Sequence, residues 1–129
     1  MNSTFSESSF RQQKNPRYGT FADMLTRYVR ERRGGDAPSV YTDARIDRRT
    51  YSSIVSNPQR AVSKRTAIQF AIALRLNLEE SDDLLRAAGY AFSPGILEDR
   101  LFVSVIVAEE YDFFKINERL IENGLKVIG

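Results

Sequence analysis

Apolar residues return every three or four positions along most of this chain, and the polar breaks between those runs predict an all-α protein of seven helices. From Thr20 onward, Phe21, Leu25, Tyr28 and Val29 keep helical spacing until Gly34-Gly35 ends the first helix. Asp36 offers an N-cap for a short second helix, with Pro38 tolerated in its first turn and Val40, Tyr41 and Ala44 on its inner face. Arg45-Ile46-Asp47 turns the chain into a third helix, capped by Asp47 and running over 47–56, with Tyr51, Ile54 and Val55 on one side. Arg48, Arg49, Ser52, Ser53 and Ser56 fall on the other side.

After the polar link Asn57-Pro58-Gln59-Arg60, Ser63 can cap a fourth helix bearing Ala67, Ile68, Phe70, Ala71, Ile72 and Leu74. Its apolar content predicts the central helix. A fifth follows, with Glu79, Glu80, Asp82 and Asp83 near its start, where negative charge suits the helix dipole, and Gly89 at its end. The stretch Ile96 to Ala108 is rich in β-branched residues, yet Leu97, Leu101, Val105 and Ala108 hold an i, i+4 row, which favours a sixth helix. Asp112 can cap a seventh carrying Phe113, Ile116, Leu120 and Ile121, stopped by Gly124. Residues 1–18, rich in Ser, Asn and Gln, have too few aliphatics to join a core and read as a flexible N-terminal arm.

The 129 residues suit one compact domain, and 42% hydrophobic content supports a modest core. With neither cysteine nor histidine, the chain offers no disulfide, no thiol nucleophile, no His-based acid–base device and no Cys/His metal site. No signal-like apolar run opens it, and no stretch nears the roughly 20 apolar residues that span a bilayer, so the expected setting is cytoplasmic and free of membrane. Net charge is +2, but it is unevenly placed. Residues 1–65 hold 13 Lys and Arg against 6 Asp and Glu, or +7, whereas 66–129 hold 6 against 11, or −5. The basic half contains the third helix, and a basic face on a balanced protein is the footprint expected of a nucleic-acid binder.

Two short helices joined by a tight turn and braced by a more apolar helix form a helix-turn-helix pattern. The run from Ser39 to Tyr90, through Val40-Tyr41, Ile46, Thr50-Tyr51, Ile54, Ser56-Asn57, Ser63-Lys64, Ala71-Ile72-Ala73-Leu74, Leu84-Leu85 and Ala88-Gly89-Tyr90, resembles bacterial and phage proteins of the lambda-repressor-like class, the Xre or Cro/CI type. The resemblance implies a five-helix DNA-binding domain over 19–90, with 91–129 as a C-terminal helical extension; the surplus of apolar residues in that extension makes self-association its expected role. It implies a transcriptional regulator, a repressor in the usual case, that binds double-stranded DNA as a homodimer and lays the third helix in the major groove. Carried over by position, Arg48, Arg49 and Ser53 are the base-contact candidates; the Arg fork can meet two guanine acceptors at once. Ser39, Thr50, Ser52, Asn57, Arg60, Lys64 and Arg65 are the backbone-contact candidates. Two positions depart from the pattern: Arg45 stands where the turn usually carries Gly or Asn, and Tyr41 where the helix pair usually has Ala.

Plainer readings stand beside these. Arg48 and Arg49 could simply solubilise an exposed helix, Lys64 and Arg65 could be surface cations, and Arg11, Lys14 and Arg17 could belong to a solvated tail rather than an arm along the duplex. Arg30, Arg32 and Arg33 end the first helix, which its dipole explains. Consecutive acidic residues on a helix point in different directions, so Glu79 to Asp83 and Glu109 to Asp112 do not suggest a catalytic or metal cluster. No catalytic residue, metal or cofactor is expected. The competing function is a protein-interaction adaptor on a helix-turn-helix scaffold, with a protein partner on the extension, because Phe102, Val103, Val107, Phe113 and Phe114 exceed what one helix face can bury.

Overall fold

The computed structural model describes residues 19–129, which form seven α-helices and, among those residues, no sheet. They are α1 Phe21–Arg33, α2 Ala37–Asp43, α3 Arg48–Ser56, α4 Lys64–Ala73, α5 Leu78–Ala87, α6 Leu97–Val107 and α7 Phe113–Glu122. The expected N-terminal arm, 1–18, lies outside the described residues.

Local chemistry sets most of the boundaries. The Thr20 hydroxyl accepts from the Asp23 amide at 3.1 Å while the Asp23 carboxylate takes the Thr20 amide, a reciprocal cap on α1. Asp36, Asp47, Ser63 and Asp112 cap α2, α3, α4 and α7 through side-chain oxygens, and each satisfies an amide that the helix itself cannot. Asn77 caps α5, in a second reciprocal pair with Glu80. α6 has no side-chain cap, and its β-branched run is helical nonetheless because the Leu101, Phe102, Val105 and Ile106 face is buried. Gly34, at φ 58°, closes α1 in the left-handed region.

Three helices end in the same way but without glycine. Arg45, Arg75 and Glu109 follow α2, α4 and α6 at φ 61°, 55° and 57°. The amide two residues past each helix's last turn reaches back to an earlier carbonyl: Ile46 to Tyr41 at 2.9 Å, Leu76 to Ala71 at 3.0 Å and Glu110 to Val105 at 3.0 Å. A side chain in this conformation costs roughly 1 kcal/mol, which closing the helix and the contacts of the side chain must offset. The left-handed turn that the departure at Arg45 raised is thus present.

α4 is the hub, with Ala67, Ile68, Phe70, Ala71, Ile72 and Ala73 all buried. Tyr51 of α3 meets Phe70 edge-on at 6.1 Å between ring centres, and Tyr41 of α2 lies 5.3 Å from Tyr51. The bulky residue at the helix pair is therefore accommodated by an aromatic stack. One apolar cluster joins α1–α5 to Leu101, Phe102, Val105, Phe113, Ile116, Leu120 and Ile128, so α6, α7 and the C-terminal tail share one core with α1–α5.

Candidate nucleic-acid interface

α3 is held by its inner face. Tyr51 and Ile54 are buried and Val55 packs against the core, whereas Arg48, Arg49, Ser52 and Ser56 are exposed and Ser53 is half-buried. Asp47 fixes the start of the helix: its carboxylate accepts from the Thr50 amide at 2.7 Å and from the Thr50 hydroxyl at 3.0 Å. Those bonds hold the Asp47 carboxyl below its usual pKa, so the cap stays ionised at neutral pH. Arg48 and Ser52 share one row of α3, and Arg49, Ser53 and Ser56 the next. Neither Arg48 nor Arg49 has a hydrogen-bond or ion-pair partner among the described residues; nor does Arg60, exposed in the loop that follows. Residues 45–65 carry six Arg and Lys against Asp47 alone, or +5.

The remaining candidates divide. Ser52 and Asn57 are exposed, although the Asn57 side-chain oxygen accepts from the Gln59 amide at 3.2 Å. The Ser39 hydroxyl donates to the Asp36 carbonyl at 2.9 Å and accepts from Arg33 at 3.1 Å, and the Thr50 proton is taken by Asp47. Lys64 and Arg65 are turned to the extension. The Lys64 ammonium is 2.6 Å from the buried Asp99 carboxylate, which also accepts from the Ser93 amide at 2.7 Å. Arg65 spans Glu98 at 2.9 and 3.1 Å, donates to the carbonyls of Val127 and Lys126, and lies over the Phe102 ring. Their charges are neutralised inside the molecule, which accounts for two cations at a helix start without a phosphate.

Sequence reasoning missed this fastening, although Glu98-Asp99 matches Lys64-Arg65 in charge order. It also missed Arg45. That guanidinium sits 5.3 Å from the Phe113 ring centre and 5.4 Å from that of Phe114, and donates to the Ile128 carbonyl at 3.2 Å. Asn117 of α7 clasps Ile128 through both backbone groups, at 2.9 and 2.8 Å, and the Ile128 side chain is buried. The C-terminal tail thereby touches both the turn before α3 and the start of α4.

Elsewhere several acidic residues serve as caps and pairs. Glu80 pairs with Arg32, and Asp82 with Arg86 at 2.7 Å. Arg33 does more than meet a dipole: it pairs with Asp43 at 3.0 Å and donates to the Ala73 carbonyl at 2.7 Å, tying α1 to α2 and α4. No helix among the described residues is long and apolar enough to cross a membrane. No family model, curated protein or solved structure matches the chain.

Proposed function

We propose that this chain is a sequence-specific double-stranded DNA-binding regulator of the lambda-repressor-like kind, reading the major groove with α3. One observation carries the proposal: a helix anchored by Tyr51 and Ile54 presents two unpartnered arginines at its start, immediately after a tight turn. Cations fixed on a rigid helix with no internal counter-charge are suited to an external anion, and Arg in particular to guanine edges. Arg48, Arg49 and Ser53 are the proposed base readers; Ser52, Asn57 and Arg60 are the proposed phosphate contacts. Lys64 and Arg65 drop out of that set because Asp99 and Glu98 already engage them. Ser39 and Thr50 retain only acceptor capacity or shared protons, so their part is secondary.

The regulator works as a homodimer in this reading, a repressor wherever its site overlaps a promoter, with two copies of α3 about 34 Å apart on successive turns of DNA. Exposed Phe114 and Ile121, seven residues apart on one row of α7, are the proposed self-association face. The same exposure supports the second reading, a protein-interaction adaptor, in which a different chain covers that row.

The test uses duplex DNA from the promoter region of the chain's own gene. Each of Arg48→Ala and Arg49→Ala should weaken specific binding by about 1–3 kcal/mol, and affinity should fall as salt rises. Binding by both variants as tight and as selective as the parent's would end the base-reading assignment. Stoichiometric capture of one protein, with no DNA retained at low salt, would favour the adaptor.

A further inference from the structure

Among the described residues, the two most exposed large apolar side chains are Phe114 and Ile121 of α7, at 78% and 65%. They share one stripe of that helix with Asn117 and Glu118, at positions i, i+3, i+4 and i+7. Asn117 holds both backbone groups of Ile128, which lays the C-terminal tail along the stripe, and Val127 at its edge is 39% exposed. Arg45 lies over the Phe114 ring at 5.4 Å, yet most of Phe114 stays open.

The open area is enough for a weak but specific contact. Phe114, Ile121 and Val127 together leave about 350 Å² of apolar surface uncovered. In an interface a little over half apolar, that corresponds to about 600 Å² per partner and about 1,200 Å² in all, the low end of specific association.

Charge says what covers it and in which direction. Lys115 and Glu122, also seven residues apart, run along one flank of the stripe; both are exposed, and neither has an ion-pair partner among the described residues. A second α7 laid antiparallel about a two-fold axis near Glu118 sets Phe114 against Ile121 and Lys115 against Glu122 of the other copy. Each of these contacts then occurs twice, as a two-fold interface requires. In a parallel pair, Lys115 would face Lys115 and Glu122 would face Glu122. Glu118 is the one mismatch of the antiparallel pair, because at the axis it meets its own copy.

We propose that the Phe114–Ile121 stripe, with Val127 at its edge, is the docking surface for a second copy of this chain, joined antiparallel with Lys115 and Glu122 paired across the axis. The proposal rests on the self-association part of the functional reading and gives that face its direction and its charge partners; DNA is not needed for it. The same axis relates the two copies of α3, the symmetry that paired half-sites call for.

Sedimentation equilibrium of the full chain tests it, with a dimer of micromolar dissociation constant expected. Phe114→Ser, at a position open to solvent, should leave the chain monomeric with parental helical content by circular dichroism. Lys115→Glu should weaken the dimer about tenfold, and Glu122→Lys in the same chain should restore it to within about threefold of the parent. Glu118→Gln should tighten it about threefold. Arg30→Glu makes the same charge change at an exposed site on α1 and should leave the dimer as in the parent. A parent that is monomeric at about 100 µM overturns the surface and the self-association reading together. A dimer that Phe114→Ser leaves intact overturns the surface alone. A dimer in which Glu122→Lys fails to rescue Lys115→Glu, or which Arg30→Glu weakens as much, overturns the antiparallel pairing while self-association stands. None of these outcomes bears on promoter binding by Arg48→Ala, so the base-reading assignment fails separately.

Discussion

Asp99→Ala should loosen α6 from the start of α4, and the structure sets the size of the effect. The Asp99 carboxylate is 3% exposed and takes two charge-assisted bonds, from Lys64 and from the Ser93 amide. Removing one partner of a buried ion pair costs about 3–5 kcal/mol when the other is stranded without water. The Lys64 side chain is 26% exposed and can turn its ammonium outward, which brings the expected loss down to about 2–3 kcal/mol. For a chain of this length, that corresponds to a fall in melting temperature of about 6–15 °C. Far-UV circular dichroism on heating, with urea unfolding at neutral pH, measures both. Asp99→Asn keeps an acceptor for Ser93 and should lose about half as much. In a double-mutant cycle with Lys64→Met, the pair should show a coupling of about 1–3 kcal/mol. Because Phe102 and Ile116 belong to the same core as Phe70, parent and variants should unfold in one transition. A variant that melts within about 2 °C of the parent, or losses that simply add, would refute the reasoning.

Arg45→Ala should be about 1 kcal/mol less stable than Arg45→Gly in urea unfolding, since both lose the contacts with Phe113, Phe114 and Ile128 but only alanine keeps the strain at φ 61°. Truncation after Val127 discards the buried Ile128 and its two bonds to Asn117, and should lower stability by about 2–4 kcal/mol; an unchanged urea midpoint would contradict the clasp. Burial raises the pKa of Tyr28, Tyr51 and Tyr111 above the ordinary 10.0, so the folded state holds these protons longer than the unfolded chain. Their contribution is therefore fully present below pH 10 and is lost as pH rises from about 10 through the folded values; stability that stays level there would contradict it.

Much of the chain was legible because its signals are local. Asp36, Asp47, Ser63 and Asp112 stand at the caps where their short side chains predicted them, and the apolar row of α6 prevailed over its β-branched content. The interior side of α3 was readable from the positions of Tyr51 and Ile54. What sequence could not disclose depends on distant partners. Lys64 meets Asp99 across 35 positions and Arg45 meets Ile128 across 83, and no helical period connects residues so far apart. Hence two cations that suited a phosphate proved to be fastened to α6. Arg45, the residue most at odds with the pattern of the turn, is held there by aromatic rings and a carbonyl supplied by the C-terminal end of the chain. The outward face of α3 is different: its arginines have no internal partner among the described residues, so its chemistry is the same in the sequence and in the fold.

The central claim is that α3 reads DNA. Selection of bound duplexes from a random library by the full chain, run in parallel with the double variant Arg48→Ala/Arg49→Ala, tests it most directly. The account predicts that the parent enriches a motif containing guanines and that the double variant, folded to the same melting temperature within about 2 °C, loses that motif. A parent that enriches no motif at low salt, or a double variant that enriches the same one, would contradict it.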